Sequence, residues 1–280
     1  MKLRNWIDIN NLSWAGLSAN PNAIDLLEKN LDRVNWENLS LNPNAIHLLE
    51  KNLDRVDWSY LSSNPNAVRI LEKYPDKIDW TRLQANPNAI HLIEQKINEY
   101  IEKYTDDSYE LYNRIYENPN AIHLIEKYVK KINWIRLAAN PNAVSLIESR
   151  LDSMNQIVKE CVLYTFCKNP NAVHILEKHQ DYIHWLSLCM NPNAIPLLQK
   201  NPDKIIWTYL SANPSAIDML EQNQDKINWI WLSDNPAIFT YDYAAMRENY
   251  RELKEELIQR AWHPSRVARW LEAGMDLEDL

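Results

Sequence analysis

Histidine recurs at one position of a repeated motif, and imidazole is the commonest side-chain ligand of metal ions in proteins. The histidines that lie five residues after an Asn-Pro pair are His47, His91, His123 and His174. A zinc site needs nitrogens about 2 Å from one ion, whereas one side chain per helical repeat places them roughly 10 Å apart. We therefore expect exposed histidines on a helix surface and no metal site.

A second recurring position carries arginines and aromatic residues. The residues four before each Asn-Pro asparagine are Gly16, Asn38, Tyr60, Arg82, Arg114, Arg136, Thr165, Ser187, Tyr209 and Trp231. Arginine and aromatic side chains are enriched at protein interfaces. This pattern predicts a partner-binding surface centred on Arg82, Arg114 and Arg136, with Tyr60, Tyr209 and Trp231 as anchors. The alternative interpretation is an ordinary variable surface.

Catalytic motifs are missing from the sequence. It has no P-loop, no G-x-G-x-x-G, no G-x-S-x-G and no H-E-x-x-H motif. Only two glycines occur in 280 residues, which leaves no material for a glycine-rich phosphate loop. We expect neither an enzyme nor a bound cofactor.

These positions are set by a tandem repeat. The Asn-Pro asparagines are Asn20, Asn42, Asn64, Asn86, Asn118, Asn140, Asn169, Asn191, Asn213 and Asn235. Seven of the nine intervals are 22 residues, and the other two are 32 and 29. The chain is therefore an array of about ten units, two of which carry insertions.

Each unit has the sequence pattern of two short helices. Counting from the asparagine as position 0, eight of the ten units have a tryptophan at −6 and a leucine at −3, and the first nine have Ile or Val at +4 and another aliphatic residue at +7. The two units that follow insertions have Tyr112 and Leu163 in place of the tryptophan. Asn or Asp before the tryptophan can cap a helix A of about six residues, partly 3₁₀. Asn-Pro can start a helix B, from Pro43 to Lys51 in the second unit. The array predicts an all-α fold, an α-solenoid, which we expect to be elongated.

The repeat resembles two known families. A leucine-rich repeat would need apolar residues two apart, and this alternation fails at Glu37, Ser59 and Thr81. The pattern L-x-x-N-P-N-x-x-x-x-x-L resembles instead the leucine-rich variant repeat, which implies α- and 3₁₀-helices alternating in a right-handed superhelix. The motif W-x-x-L-S-x-N-P-N-A-I-x-L-L-E-K-N, at Trp36 to Asn52, is similar to repeats of uncharacterised giant DNA virus proteins. The tail from Phe239 resembles the C-terminal end that those proteins often share. This second resemblance implies a viral source, in the host cytoplasm or the virion, and carries no activity with it.

The repeats leave two terminal segments and two insertions. Residues 1–10 and 239–280 are expected to cap the repeat array of 11–238, because each repeat buries its apolar face only against neighbours. The tail predicts a long helix from about Tyr241 to Arg260 and a second helix from His263-Pro264 to Gly274. The insertions, near 95–117 and 151–167, predict lengthened helices, with Ile157, Val158, Cys161 and Val162 on one helical face in the second.

Composition narrows the class of protein. The net charge of −8 and the pI of about 5.4 make nucleic acid an unlikely partner. Three cysteines without zinc-site spacing indicate buried thiols in a reducing compartment. No apolar run approaches the ~18 residues of a membrane span, so we expect a soluble intracellular protein. The predicted function is a non-enzymatic scaffold that binds a host or viral protein. The alternatives are a nucleic-acid-binding solenoid and a structural virion component, and the oligomeric state is left open.

Overall fold

A computed structural model describes residues 1–103, 114–129 and 132–274 of the chain. In these residues the fold is all α apart from a two-stranded sheet of β1 (Lys2–Leu3) and β2 (Phe239–Thr240). Two compact units are distinguished, the repeats from Leu3 to Phe239 and a second unit of 1–2 and 240–280. The predicted solenoid of short two-helix repeats is confirmed.

Each repeat contributes a helix that ends before Asn-Pro, helix A, and most contribute a helix that follows it, helix B. In the first four repeats these are α1 (Trp14–Ala19) and α2 (Ile24–Glu28), α3 (Trp36–Leu41) and α4 (Ile46–Lys51), α5 (Trp58–Ser63) and α6 (Val68–Lys73), and α7 (Trp80–Leu83) and α8 (Ile90–Lys103). The fifth repeat has a 3₁₀ turn at Ile115–Glu117, followed by α9 (Ile122–Tyr128). The later pairs are α10 (Trp134–Leu137) and α11 (Val144–Glu148), α12 (Gln156–Phe166) and α13 (Val173–Leu176), α14 (Trp185–Cys189) and α15 (Ile195–Lys200), and α16 (Trp207–Leu210) and α17 (Ile217–Glu221). The tenth repeat has α18 (Trp229–Ser233) and then β2.

Helix A begins at the tryptophan because the preceding polar residue caps it. Asn35 Oδ1 accepts from the Asn38 backbone N–H at 2.8 Å, and Asp57 Oδ1 accepts from that of Tyr60 at 2.8 Å. Proline after the asparagine keeps that residue extended, with φ −71° and ψ 114° at Asn42, and so ends the helix. The predicted capping is confirmed at Asn35, Asp57, Asp79 and Asn133. The predicted length of about six residues is found in α1, α3 and α5, whereas α7, α10, α14, α16 and α18 have four or five residues.

Helix B begins three residues later than we predicted. In the second repeat it starts at Ile46 and not at Pro43. Asn42 Oδ1 accepts from the Asn44 N–H at 3.0 Å, and the Ala45 N–H bonds back to the Asn42 carbonyl at 3.2 Å. Pro-Asn-Ala therefore forms a tight turn that is not part of the α-helix.

Several of the connecting turns are 3₁₀ helices. Five lie at the Pro-Asn-Ala position: Pro141–Ala143, Pro170–Ala172, Pro192–Ala194, Pro214–Ala216 and Pro236–Ile238. Others precede helix A, at Ile9–Asn11, Leu31–Arg33, Leu53–Arg55, Pro75–Lys77, Leu151–Ser153, Gln180–Tyr182, Pro202–Lys204 and Gln224–Lys226.

The core lies between the A and B helices. Leucines at −3 and +7, such as Leu39 and Leu49, have no exposed surface. Each such side chain contributes about 1.5–3 kcal/mol relative to an exposed one. The tryptophans are only half-buried, and several lie under a cation, as Trp36 does with the Arg55 guanidinium 4.2 Å from the ring centroid.

Both insertions lengthen helices. In the first, helix B continues to Lys103 as predicted, while the expected turn and longer helix A fall in 104–113, outside the described residues. In the second, α12 has 11 residues. Val162 is buried there, but Ile157 is exposed, so the predicted apolar face is only partly covered by the core.

The first and tenth repeats are neighbours, so the array closes into a ring. Between consecutive repeats, Asn42 Nδ2 donates to the carbonyls of Ser18 at 3.0 Å and Asn20 at 2.9 Å. Across the closure, Asn20 Nδ2 donates in the same way to Ser233 at 3.0 Å and Asn235 at 2.9 Å. All ten buried asparagines donate to the preceding one, as a circular ladder. The elongated, open stack that we expected is therefore wrong.

The N-terminal residues help to join the ends of the array. The Arg4 backbone N–H donates to the Ile238 carbonyl at 2.9 Å, and the rings of Trp6 and Trp229 lie 6.4 Å apart. The first repeat therefore covers the last. The expected capping roles of residues 1–10 and 239–280 stay predictions.

The second unit contains α19 (Tyr243–Ala261) and α20 (Pro264–Glu272). His263 caps α20, and its side chain accepts from the Ser265 N–H. Gly274 has a φ of 86°, as expected of a residue that ends a helix in the left-handed region. Both helices predicted for the tail are confirmed.

Candidate binding site on the inner wall of the ring

The A helices form the inner wall of the ring. A helices of neighbouring repeats pack side by side, whereas successive B helices contact each other less. In a closed ring the layer with the shorter spacing must lie inside. The B helices, with their histidines, therefore form the outer surface.

The direction of each side chain on helix A follows from 100° per residue. With the −3 leucine facing the core, positions −5 and −1 point to the opposite side, into the ring. Positions −4 and −2 point sideways, towards the preceding and following repeats. The contacts agree: Gly16, at −4, faces Asp234 and Ser233 of the preceding repeat.

Position −2 joins most repeats to the next, with Ala138 in the sixth repeat as an exception. The Asn35 N–H donates to Ser18 Oγ at 3.0 Å, and equivalent bonds recur around the ring. At two junctions the acceptor is sulfur. The His184 N–H donates to Cys167 Sγ at 3.3 Å, and the Ile206 N–H donates to Cys189 Sγ at 3.3 Å. Burial raises the pKa of both thiols. These two cysteines are therefore protonated structural residues.

Among the predicted site residues, the structure brings Tyr60 and Arg82 together. The Arg82 guanidinium lies 4.2 Å from the Tyr60 ring centroid, and its Nε lies 3.9 Å from Asp79. Partial burial opposes ionisation of Asp79, but hydrogen bonds from the Ser59 hydroxyl and from the amides of Arg82 and Thr81 outweigh it and lower its pKa. Arg82 is thus held in a network between two repeats.

The structure also pairs Tyr209 with Trp231, whose half-buried rings lie 5.1 Å apart. Arg114 Nε lies 3.6 Å from Glu117, and Arg136 is exposed. Arg114 lies in the fifth repeat and Trp231 in the tenth, five steps apart in a ring of ten, so these two residues lie on opposite sides of the ring. The six predicted residues are therefore not one patch.

A group of apolar side chains on the inner wall was missed by the sequence prediction. Ile230 and Tyr164, at −5, are 68% and 49% exposed, and Met190, at −1, is 37% exposed. Ile157 lies seven residues before Tyr164 on the same face of α12 and is 75% exposed. With the half-buried Ile135 and Leu186 we call these residues the apolar sector: Ile135, Ile157, Tyr164, Leu186, Met190 and Ile230.

Apart from the half-buried Leu41 at −1 of the second repeat, the large apolar side chains at −5 and −1 lie in repeats six, seven, eight and ten. At the same −5 position, repeats one to four carry Ala15, Glu37, Ser59 and Thr81. Helical geometry places −5 and −1 opposite the −3 leucine, so the sequence contains a signal that these residues face away from the core, but not that they face one another across a ring.

The ring leaves room for one polypeptide segment. Ten helices at 8–10 Å spacing give a ring roughly 25–32 Å across between helix axes. Subtracting a helix diameter of about 10–12 Å leaves an opening of roughly 13–22 Å. A single α-helix with its side chains fits such an opening.

The histidine positions lie on the outer surface, as expected. His47 Nε2 lies 2.7 Å from Glu28 of the preceding repeat, and His91 Nε2 lies 3.0 Å from Glu72. Across the described residues, no three His, Cys, Asp or Glu side chains are grouped so that they could hold a metal ion.

Comparisons with known proteins do not place the chain in a family. No family model matches the sequence, and no curated protein or solved structure is significantly similar to it. In the part of the chain that the structure describes, no helix is both long and apolar enough to cross a membrane.

Proposed function

We propose that the ring is a non-enzymatic scaffold that binds a segment of a partner protein against its inner wall. The observation that carries this proposal is the apolar sector, with Ile230 and Tyr164 exposed on a face that needs no apolar residues for folding. Exposed apolar groups that share one face are typical of protein-binding sites.

The charge around the ring suggests the chemistry of the partner segment. Arg82, Arg114 and Arg136 lie in repeats four to six, across the ring from Tyr209 and Trp231. A segment with apolar residues facing the apolar sector and acidic residues facing these arginines, whose −4 positions lie at the junctions between repeats, would match both groups. The resemblance to viral repeat proteins favours a host or viral partner, met in the host cytoplasm or the virion.

Nucleic acid is the alternative ligand, because three arginines lie in consecutive repeats. Two of them already have acidic neighbours, Asp79 and Glu117, and the chain has a net charge of −8. Phosphate binding depends on clustered, unneutralised basic side chains. A protein segment is therefore the better fit.

Affinity capture with inner-wall variants tests the proposal. The tagged protein, Tyr164→Asp with Ile230→Asp, and the charge reversal of Arg82, Arg114 and Arg136 to Glu are each incubated with lysate of the host cell. Bound proteins are quantified by mass spectrometry. We expect one or more proteins to be captured by the natural chain and reduced at least tenfold with either inner-wall variant.

The matched control reverses three charges on the outer B helices, Lys51, Arg69 and Lys73 to Glu, and should leave capture unchanged. Circular dichroism establishes that all variants keep their helices. Equal capture by inner-wall and outer variants would contradict the proposal. A steep fall of affinity for random oligonucleotides with added salt would favour nucleic acid instead.

A further inference from the structure

The N-terminal residues contact the tenth repeat at the point where its helix B would be. The 3₁₀ turn Ile9–Asn11 precedes helix A of the first repeat, as equivalent turns do in most later repeats, so residues 3–8 correspond to the end of a preceding helix B. In the tenth repeat, β2 stands in place of helix B. Arg4 binds there, because its backbone N–H donates to the Ile238 carbonyl at 2.9 Å and its Nε donates to the Ala237 carbonyl at 2.8 Å. We call residues 3–8 the latch.

Two polar groups at the closing junction have no partner among the described residues. The Nε1 of Trp6, whose ring lies 6.4 Å from that of Trp229, is buried without a hydrogen bond, as is that of only one other described side chain, Trp36. The Asp234 carboxylate lies so close to Gly16 that an added Cβ would be 2.7 Å from its Oδ1. It makes no hydrogen bond or ion pair with a described residue, and desolvation raises its pKa. Both groups regain water when the junction opens, which lowers the cost of opening.

The nine internal junctions can share the movement that opening requires. A gap of about 10–12 Å, the diameter of a helix with its side chains, needs a displacement of roughly 1 Å at each of them. The curvature of stacked repeats is the sum of small rotations between neighbours, so small changes at every junction add up at the one junction without a peptide. Opening there therefore leaves the internal contacts in place.

We propose that the closing junction is a gate, at which the latch releases and the first and tenth repeats separate and rejoin in the folded protein while the internal junctions stay closed. An open gate lets a polypeptide segment without a free end reach the inner wall, because the segment enters sideways and is not threaded. This route of entry rests on the function proposed for the ring, whereas the opening itself does not.

Alkylation of cysteines measures the opening, because two internal junctions already carry a buried cysteine at −2, Cys167 and Cys189. Ser233→Cys introduces the same thiol at the closing junction, and Ser211→Cys introduces it at the neighbouring internal junction. Each variant is made in the full chain with Cys161→Ser and treated with iodoacetamide under native conditions, and mass spectrometry of peptides gives the rate at each cysteine. We expect the thiol introduced by Ser233→Cys to react at least about tenfold faster than the thiol introduced by Ser211→Cys and than both natural cysteines.

A latch variant tests what holds the gate. Trp6→Ala removes the ring that lies against Trp229 and should further accelerate alkylation of the Ser233→Cys thiol without changing that of the Ser211→Cys thiol. Asn5→Ala, at an exposed latch residue, is the matched control and should change neither rate. Equal rates at the two junctions, or a Trp6→Ala effect that is absent or the same at both, overturn the proposal.

The two proposals fail in different ways. Equal alkylation rates, together with lysate capture that still depends on the inner wall, would overturn the gate alone, since the partner then enters by one of its ends. Rapid alkylation of the Ser233→Cys thiol without any inner-wall-dependent capture would support the gate and overturn the binding function.

Discussion

The closing junction of the ring, between the tenth and first repeats, and most of the nine internal junctions are built from the same hydrogen bonds. The exceptions are the +2 position of the last two repeats, Ser215 and Ala237, and the −2 position of the sixth, Ala138. Asparagine amides at 0 and +2 donate to carbonyls of the preceding repeat. A side chain at −2 accepts from the backbone N–H of the residue that precedes helix A in the following repeat. At the closing junction these bonds join Asn20 to Asn235, Asn22 to Pro236, and Ser13 to Ser233. The chemistry of stacking therefore does not depend on chain continuity.

The two kinds of junction differ in what else holds them. At the closing junction no peptide links the repeats, and the helix B of the tenth repeat is replaced by β2 and its partner β1. Gly16 also stands there at the −4 position that elsewhere carries a side chain. Opening this junction costs only its own non-covalent contacts, so it is the weakest point of the ring.

Loss of a ladder asparagine is the largest expected effect. Asn20→Ala leaves the buried Ser233 carbonyl without its donor and removes one of two donors to the Asn235 carbonyl, which keeps the Ile238 N–H at 3.3 Å. An unsatisfied carbonyl costs about 1–3 kcal/mol and a lost bond about 1 kcal/mol, so the free energy of unfolding should fall by roughly 2–4 kcal/mol. Because no peptide spans this junction, we also expect the ring to open. Urea unfolding followed by tryptophan fluorescence and the radius of gyration from X-ray scattering measure the two effects.

The matched internal variant is Asn64→Ala, which removes the same pair of bonds, to Ser40 and Asn42. It should lose similar stability while the radius of gyration stays the same. Expansion of both variants, or of neither, would show that chain continuity does not distinguish the junctions.

A side chain at Gly16 has the next largest effect. An added Cβ would lie 2.7 Å from both Asp234 Oδ1 and Ser233 Cβ, well inside van der Waals contact. Gly16→Leu should therefore destabilise the protein by about 1–3 kcal/mol through overpacking, and should expand the ring. The control is Thr165→Leu, at the same position of an internal junction, where scattering should show no expansion. If the Gly16→Leu protein kept both its radius of gyration and its stability, the closing junction would have room for the leucine side chain, and the overpacking argument would be wrong.

The local elements of the fold could be predicted from the sequence, whereas closure could not. Capping of helix A by Asn35 and Asp57 follows from local residue chemistry. Closure of ten repeats needs about 36° of rotation per repeat. This rotation depends on how the spacing of the inner A helices differs from that of the outer B helices, and not on any one residue. The asparagine ladder was missed for a related reason. Asn42 was assigned to capping, and its Oδ1 does bond locally, but its Nδ2 bonds to a neighbour that the motif cannot show.

The candidate site was predicted only in part. Arginines and aromatics at −4 were identified by residue type, yet Arg82 is engaged by Tyr60 and Asp79. Which row faces the interior depends on the ring, so Tyr164 and Ile230 could not be recognised as one wall before closure was known. The glycine at −4 of the first repeat, Gly16, was the one sequence feature that distinguished the closing junction from the others.

Removing one hydroxyl acceptor at the closing junction has a smaller effect. Ser233 Oγ accepts from the Ser13 N–H at 2.8 Å. Ser233→Ala should lower the free energy of unfolding by about 1 kcal/mol. Ser211→Ala removes the equivalent internal bond, from the Asn228 N–H at 3.0 Å, and serves as its match. Equal losses in urea unfolding are expected, since each variant loses the bond to the neighbouring amide and the hydroxyl's own bond to the Trp229 or Trp207 carbonyl. A loss at only one site would show that the two junctions are not equivalent.

The smallest expected effect is the pH-dependent contribution of two carboxylates to the free energy of unfolding, Asp234 at the closing junction and Asp79 at an internal one. Asp234 is exposed, but the surrounding protein at the closing junction raises its pKa by desolvation. A raised pKa means that ionised Asp234 destabilises the fold above that pKa, and that the penalty disappears as pH falls below it. The internal Asp79 has a lowered pKa, so it contributes stability above its ordinary value of 3.8, which is lost as pH falls through the folded pKa. In urea unfolding, Asp234→Asn should therefore stabilise the protein at pH 7 and Asp79→Asn should destabilise it, with both differences shrinking below pH ~4. Effects of the same sign at pH 7 would contradict this difference between the two junctions.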